Sequence, residues 1–264
     1  MIDSHCHLAD EVFESDLDLV VARAREAGLT SALTILAAGD AGEARRAERL
    51  VALWPDVRFA VGVHPHQAHA CATAGQATAL LASTLSTNPR IRAIGEIGLD
   101  YHYDFSPRDV QQAVFAEQIA VAIDRDLPVV IHTREADEDT FAMLEREGRG
   151  RVRGVFHCFT GEVAAAQRAV ALGFFVSFAG IVTFPRAQNV RDAVRVVPDA
   201  QLLAETDSPF LAPVPFRGKR NEPAWVTRVA EQLAEIRGSD RNAIARLVTA
   251  NFGRLCGEDM ATAR

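Results

Sequence analysis

The sequence predicts a single (β/α)8 barrel, and three observations carry that prediction. Eight short apolar, β-branched runs recur along 264 residues, helical patterns lie between them, and most of the histidines fall where the runs end. The runs cover 2–8, 29–37, 58–65, 91–99, 128–133, 153–159, 174–180 and 201–207. Short runs without alternation read as strands buried on both faces, as in parallel sheets. An open doubly wound sheet would use the same alternation, but no glycine-rich phosphate loop follows the first run. The length also suits one barrel, which closes at about 250 residues.

Between the runs, helical periodicity covers 15–27, 41–53, 106–125, 137–147 and 161–172, among others. Gly28, Gly148 and Gly173 fall where C′ glycines end helices ahead of the next strand. After the eighth run, Asn221-Glu222-Pro223 offers a cap and an N-terminal proline. Val226, Val229, Leu233 and Ile236 then form an apolar stripe ending near Gly238, and Ser239-Asp240 opens a last helix. No linker composition, charge block or repeat divides the chain, so one domain, 1–264, is expected.

Composition narrows the function classes. Hydrophobic residues make up 48% and charged residues 24%, a globular balance with no apolar run long enough to span a bilayer. A formal net charge of −7 argues against coating long nucleic acid through a broad basic face. The first thirty residues carry Asp3, Asp10, Glu11, Glu14, Asp16 and Asp18 with no basic n-region, so a cytoplasmic location is expected, with no membrane association and no obligate protein partner. Cys6, Cys71, Cys158 and Cys256 form no C-x-x-C pair and read as reduced thiols. Alternation turns Cys6 and Cys158 away from their histidine neighbours, as packing residues.

Chemistry in such a barrel sits at the C-terminal ends of the strands. Six of the eight histidines, His5, His7, His64, His66, His132 and His157, lie at or just beyond those ends. His69 and His102 fall in loops and are left without a role. In an extended strand Asp3, His5 and His7 share one face, so two imidazoles can reach one divalent cation. Glu96 interrupts an apolar run, where a lone ionised carboxylate is costly. A metal-bound Glu96 explains the flanking Gly95 and Gly98, which leave room, better than an arginine partner does. Alternation places His132 and Arg134 side by side. Taken alone, His157 reads as a hydrogen-bonded core histidine and Asp207 as part of an exposed turn. Taken together, His5, His7, Glu96, His132, His157 and Asp207 are enough for two metal ions.

Paired metals bridged by a carboxylate acidify a shared water and clamp the oxygens of an in-line displacement, which makes a hydrolase. Lys219 is the only lysine and lies beyond the eighth run, so a carboxylated inner-strand lysine is excluded and Glu96 must be the bridge, if there is one. Asp207 would ligate one metal and orient or deprotonate the attacking water, with Glu96 as its catalytic partner. Arg134 and His64 would hold a phosphate oxygen, although His64 could equally cap its own loop. Asp3 and Glu205 are candidates for fixing imidazole tautomers behind the ligands. The loop 210–221 carries Arg217, Lys219 and Arg220, which read as contacts to a polyanion or as a solvated turn. Tyr101 or Phe216 would be available to stack on a base.

The blocks Ile2-Asp3-Ser4-His5-Cys6-His7-Leu8, Gly62-Val63-His64-Pro65, Gly95-Glu96-Ile97-Gly98-Leu99-Asp100-Tyr101, Ile131-His132-Thr133-Arg134, His157-Cys158-Phe159-Thr160-Gly161 and Glu205-Thr206-Asp207-Ser208-Pro209, with Arg217-Gly218-Lys219-Arg220-Asn221-Glu222-Pro223 after them, resemble the TatD family of metal-dependent deoxyribonucleases. The match runs in order over nearly the whole chain. It weakens only at 251–257, where Cys256 stands at a place expected to be aromatic. The resemblance implies a (β/α)8 hydrolase of the amidohydrolase superfamily with two divalent metals and 3′ to 5′ exonuclease activity on DNA 3′ ends. It also suggests ester or amide hydrolysis, including D-aminoacyl-tRNA deacylation. The mixed imidazole and carboxylate ligands suit zinc, manganese or iron better than magnesium.

Overall fold

The computed structural model describes residues 1–257, so the last seven residues of the expected domain lie outside the described residues. Eight parallel strands form one sheet in sequential order: β1 Ile2–Cys6, β2 Ser31–Ala37, β3 Arg58–Gly62, β4 Ile91–Asp100, β5 Val129–Arg134, β6 Gly154–Phe156, β7 Phe175–Phe178 and β8 Leu202–Ala204. The sheet closes because backbone bonds run from His7 N to Ser208 O (2.8 Å) and from Asp207 N to His5 O (3.0 Å). The result is the (β/α)8 barrel expected.

Helices α1 Leu17–Glu26, α2 Ala41–Leu53, α3 Gln76–Thr87, α4 Arg108–Asp124, α5 Asp137–Gly148, α6 Val163–Ala171 and α7 Gln188–Val196 return the chain between strands, and α8 Val226–Arg237 and α9 Arg241–Cys256 follow β8. Capping sets several boundaries where the sequence implies them. Asp40 accepts from the amides of Gly42 and Glu43 at the start of α2, and Asp240 accepts from Ala243 N at the start of α9, satisfying donors left free at a helix start.

Two punctuation marks differ from expectation. Gly28 and Gly173 have positive φ past their helices, but Gly148 is the last residue of α5 and the left-handed cap is Arg149 (φ 48°). A Cβ on Gly148 would lie 2.4 Å from Val152 Cγ1, so that glycine serves close packing. Asn221 caps no helix either. Its amide donates to Thr206 O (2.9 Å) and Phe210 O (2.6 Å), tying the long loop after β8 back to the strand end.

Two glutamines of α4 hold the rim of the barrel. Buried Gln118 accepts from Val63 N and donates to Val63 O, while buried Gln111 accepts from Asp100 N and donates to Asp100 O and Ser106 O. Each replaces ladder bonds where the strand runs out, so the chain at those ends keeps its position.

Candidate metal centre

Local backbone irregularity aims the site. The β4–β5 register slips between Gly95 and Ile97, so Glu96 is the extra residue of a bulge, which re-aims a side chain. The glycines around it leave room for neighbouring strands. A Cβ on Gly95 would meet Val130 Cβ at 2.5 Å, and one on Gly98, at φ 140°, would meet His132 O at 1.9 Å. The expectation that they clear space for a metal is therefore corrected: they let β4 press against β5. Asp207 has φ 54°, a left-handed conformation that an aspartate tolerates better than most residues, and this turn stops β8 and presents the carboxylate.

Glu96 is 6% exposed and its two oxygens face two different imidazole sets. Oε2 lies 3.5 Å from His5 Nε2 and 3.9 Å from His7 Nε2. Asp207 Oδ1 completes that group, 3.7 Å from His5 Nε2 and 3.3 Å from His7 Nε2, and the two Nε2 atoms are 3.3 Å apart. Four donors about 2.0–2.1 Å from one ion in a tetrahedron lie roughly 3.4 Å from each other, so this spacing fits a divalent cation. Glu96 Oε1 faces His132 Nδ1 at 2.7 Å, His157 Nε2 at 2.8 Å and His64 Nε2 at 3.3 Å, a second group of donors. Among the described residues Glu96 pairs only with imidazoles, which removes the arginine-partner reading. A buried carboxylate among so many imidazole nitrogens fits a metal pair in its donor chemistry.

The electrostatics agree with ionised Glu96. Burial alone would raise its carboxyl, but the His157 and His64 charges and hydrogen bonds from His132 and His157 hold it well below the usual range. Burial would likewise lower His157, yet Glu96 and Glu205 hold that ring well above its ordinary value. For His64 burial outweighs the charge and hydrogen bond of Glu96, and brings the ring down to about 4.

Behind the ligands, Glu205 is fully buried, with Oε1 3.3 Å from His157 Nδ1 and accepting from Cys158 N at 2.7 Å. Asp3 does not reach an imidazole ring as expected. It accepts from Thr206 N (2.9 Å), Thr206 Oγ1 (2.5 Å) and His5 N (3.3 Å), so it braces the β8 turn that carries Asp207. Burial pushes Asp3 up to about 8. Cys6 is fully buried against Leu33 O and Thr34 Oγ1 of β2.

The substrate-side expectations fare unevenly. His64 both caps its loop, accepting from His66 N at 3.1 Å, and reaches Glu96. Arg134 is exposed, with its guanidinium 4.7 Å over the Tyr103 ring. Tyr101 is unavailable for stacking, because its hydroxyl donates to Asp139 Oδ2 (2.7 Å) and Arg108 covers its ring at 4.3 Å. Phe216 is stacked on Trp225 at 4.2 Å. In the basic loop, Arg217 lies over Phe184 and Lys219 over Phe216, both exposed. Arg220 is spent on Asp16, with Nη2–Oδ2 2.6 Å, and on Val12 O.

Sequence reasoning passed over four residues. Asp100, fully buried, accepts from His66 Nε2 (2.8 Å) and His132 Nε2 (3.1 Å) and from the His102 and Tyr103 amides. The signal was a second carboxylate four residues after Glu96. Tyr103 and Phe105 stack on each other at the mouth, and Phe210 stands edge-on to His7 at 5.9 Å. A cavity of about 210 Å³ opens between His7, His64, Glu96 and Phe210.

A (β/α)8 barrel with imidazole and carboxylate donors gathered at the C-terminal ends of its strands defines a metal-dependent hydrolase. The family described as TatD related DNase matches residues 2–257, and the chain belongs to it. The metal-dependent hydrolase YabD of Bacillus subtilis is 40% identical over 255 residues, 97% of this chain and 98% of its own. The 3′-5′ ssDNA/RNA exonuclease TatD of Erwinia tasmaniensis is 35% identical over 261 residues, covering 97% and 99%. The crystal structure of YJJV, a TatD homologue from Escherichia coli K12, matches with a TM-score of 0.88 at 31% identity over 98% of each chain. No helix among the described residues is long and apolar enough to cross a membrane.

Proposed function

We propose that the chain hydrolyses phosphodiester bonds of DNA, releasing nucleotides from 3′ ends, with two divalent metal ions held by His5, His7, Glu96, His132, His157 and Asp207. The observation that carries this reading is Glu96, a buried carboxylate whose two oxygens face two separate donor groups. When bound, the ions supply an acidified water and positive charge for the entering and leaving oxygens. Asp207 orients the attacking water and accepts its proton. Glu205 and Asp100 fix the His157 and His132 rings from behind, so both imidazoles keep one orientation. Arg134, exposed at the end of β5, binds a non-bridging phosphate oxygen, with His64, which lines the cavity beside Glu96, as a second contact.

The net charge of −7 suits local engagement of a strand end over a long basic track. The name of the Erwinia relative supports a single-stranded nucleic-acid substrate. Four well-separated cysteines with no C-x-x-C pair suit a reducing, cytoplasmic compartment.

The test is nucleotide release from end-labelled single-stranded DNA, measured with zinc, manganese and magnesium in turn. Activity is expected to disappear with chelator and in Glu96→Ala. A metal-loaded protein that leaves DNA intact while cleaving an aminoacyl or other carboxylic ester would replace this reading with ester hydrolysis.

A further inference from the structure

We infer that Tyr103 and Phe105, in the loop after β4, form a stacking platform for a nucleobase of the strand whose phosphate lies at the metal centre. The inference rests on the nuclease reading above and puts the base on Phe105, the more exposed ring of the stack, with Tyr103 behind it, because Arg134 covers Tyr103 as Arg108 covers Tyr101, and Phe216 is stacked on Trp225. The Tyr103 and Phe105 rings lie parallel within 1° at 5.2 Å, and the residues are 48% and 61% exposed. Two large aromatic side chains left in water at the mouth of a site forgo the burial they would otherwise gain.

The loop holds them there. Asp104, between the two, has φ 48°, which turns the chain so that rings two residues apart meet. Its carboxylate accepts two bonds from Arg108, both 3.0 Å. The loop starts on Asp100 Oδ1, which accepts from the His102 and Tyr103 amides, while Oδ2 of the same carboxylate holds His66 and His132. One buried group therefore anchors both the platform and a donor of the metal centre. The His66 ring stands edge-on to Tyr103 at 5.5 Å and to Phe105 at 4.9 Å, and the Arg134 guanidinium lies 4.7 Å over Tyr103.

A flat aromatic face beside a cation and a carboxylate–imidazole cluster matches a nucleotide, with the base on the rings and the phosphate on the Arg134 side. Stacking tolerates any base, as an exonuclease working along a strand requires. A protein partner is a poor occupant, because a stable interface needs about 800 Å² on each side and two rings supply a small part of that.

The test uses single-stranded oligonucleotides carrying 2-aminopurine, or an abasic residue, at each of the last three positions from the 3′ end. On mixing with the metal-loaded protein, fluorescence at one position is expected to be quenched by stacking. Phe105→Leu and Tyr103→Leu, checked for wild-type metal content and thermal midpoint, relieve that quenching. An abasic residue at the same position raises KM about tenfold for the wild type, with a smaller change in kcat. It has no further effect in Phe105→Leu, because ring and base are then the two halves of one contact. Wild-type quenching and KM in both variants, or abasic and Leu effects that multiply independently, overturn the platform while leaving the nuclease reading intact. Absence of nucleotide release from every oligonucleotide by the wild type overturns the nuclease reading, and the platform with it.

Discussion

Asp100 and His132 meet across the adjacent strands β4 and β5, with Oδ2 3.1 Å from Nε2, while Nδ1 of the same imidazole is 2.7 Å from Glu96 Oε1. The ring is thus held at both nitrogens, and the nitrogen facing Glu96 is the one left as a metal donor. Asp100→Asn keeps the volume but can no longer accept with full charge from both His132 and His66. Loss of such a partner costs about 10–100-fold in metal affinity or activity, and a loss of that size is expected here. Competition with a chromogenic chelator checks it, and wild-type affinity in the variant would refute the positioning role.

Gln118 carries a different kind of burden. Its amide satisfies both backbone groups of Val63, just past β3 and one residue before His64. Gln118→Ala leaves two buried backbone groups unpaired, at about 1–3 kcal/mol each. A fall in stability of roughly 2–6 kcal/mol is expected, at about 2–4 °C in Tm for each kcal/mol in a chain of this size. A shift below about 1 °C in calorimetry would show that the rim does not depend on this bond pair.

Much of the donor set was legible because a parallel barrel converts strand order into a ring of strand ends, so His5, His7 and His132 could be placed from alternation at those ends, and His157 only in company with them. Glu96 was legible as a charge in an apolar run, but its aim depends on a bulge that no periodicity reveals. The glycines beside it were misread, since their close approach is to β5, a neighbour in space and not in sequence. Asp3 was expected to touch a ring, and instead the closure of β1 against β8 brings it to Thr206. The loops were least legible. Whether an aromatic residue is free or already stacked depends on partners such as Trp225 for Phe216, or on the turn at Asp104 for Tyr103 and Phe105.

Arg134 and Arg220 separate binding from structure. Arg220 forms a two-pronged, half-buried pair with Asp16, so Arg220→Ala is expected to cost about 1 kcal/mol of stability and to leave KM for an oligonucleotide within twofold. Arg134 forms no ion pair among the described residues and lies at the site mouth. Arg134→Ala is expected to raise KM by about tenfold to a hundredfold, as loss of a charged hydrogen bond does, with little change in Tm. Paired melting and steady-state measurements decide the matter, and the reverse pattern would exchange the two roles.

His157 sets the pH dependence of metal uptake. Although burial opposes it, the charges of Glu96 and Glu205 hold the ring protonated well above the ordinary imidazole range when no ion is present. A metal donor must be neutral, so loading at pH 7 has to expel that proton. Affinity is therefore expected to rise with pH up to the raised value of His157 and to fall as acid restores the proton. Titration calorimetry in two buffers of different ionisation enthalpy counts the protons released. Glu205→Gln removes one of the two carboxylates that hold the proton on His157, so fewer protons should be released at pH 7 and the pH slope should flatten. An unchanged proton count in that variant would place the displaced proton on another group.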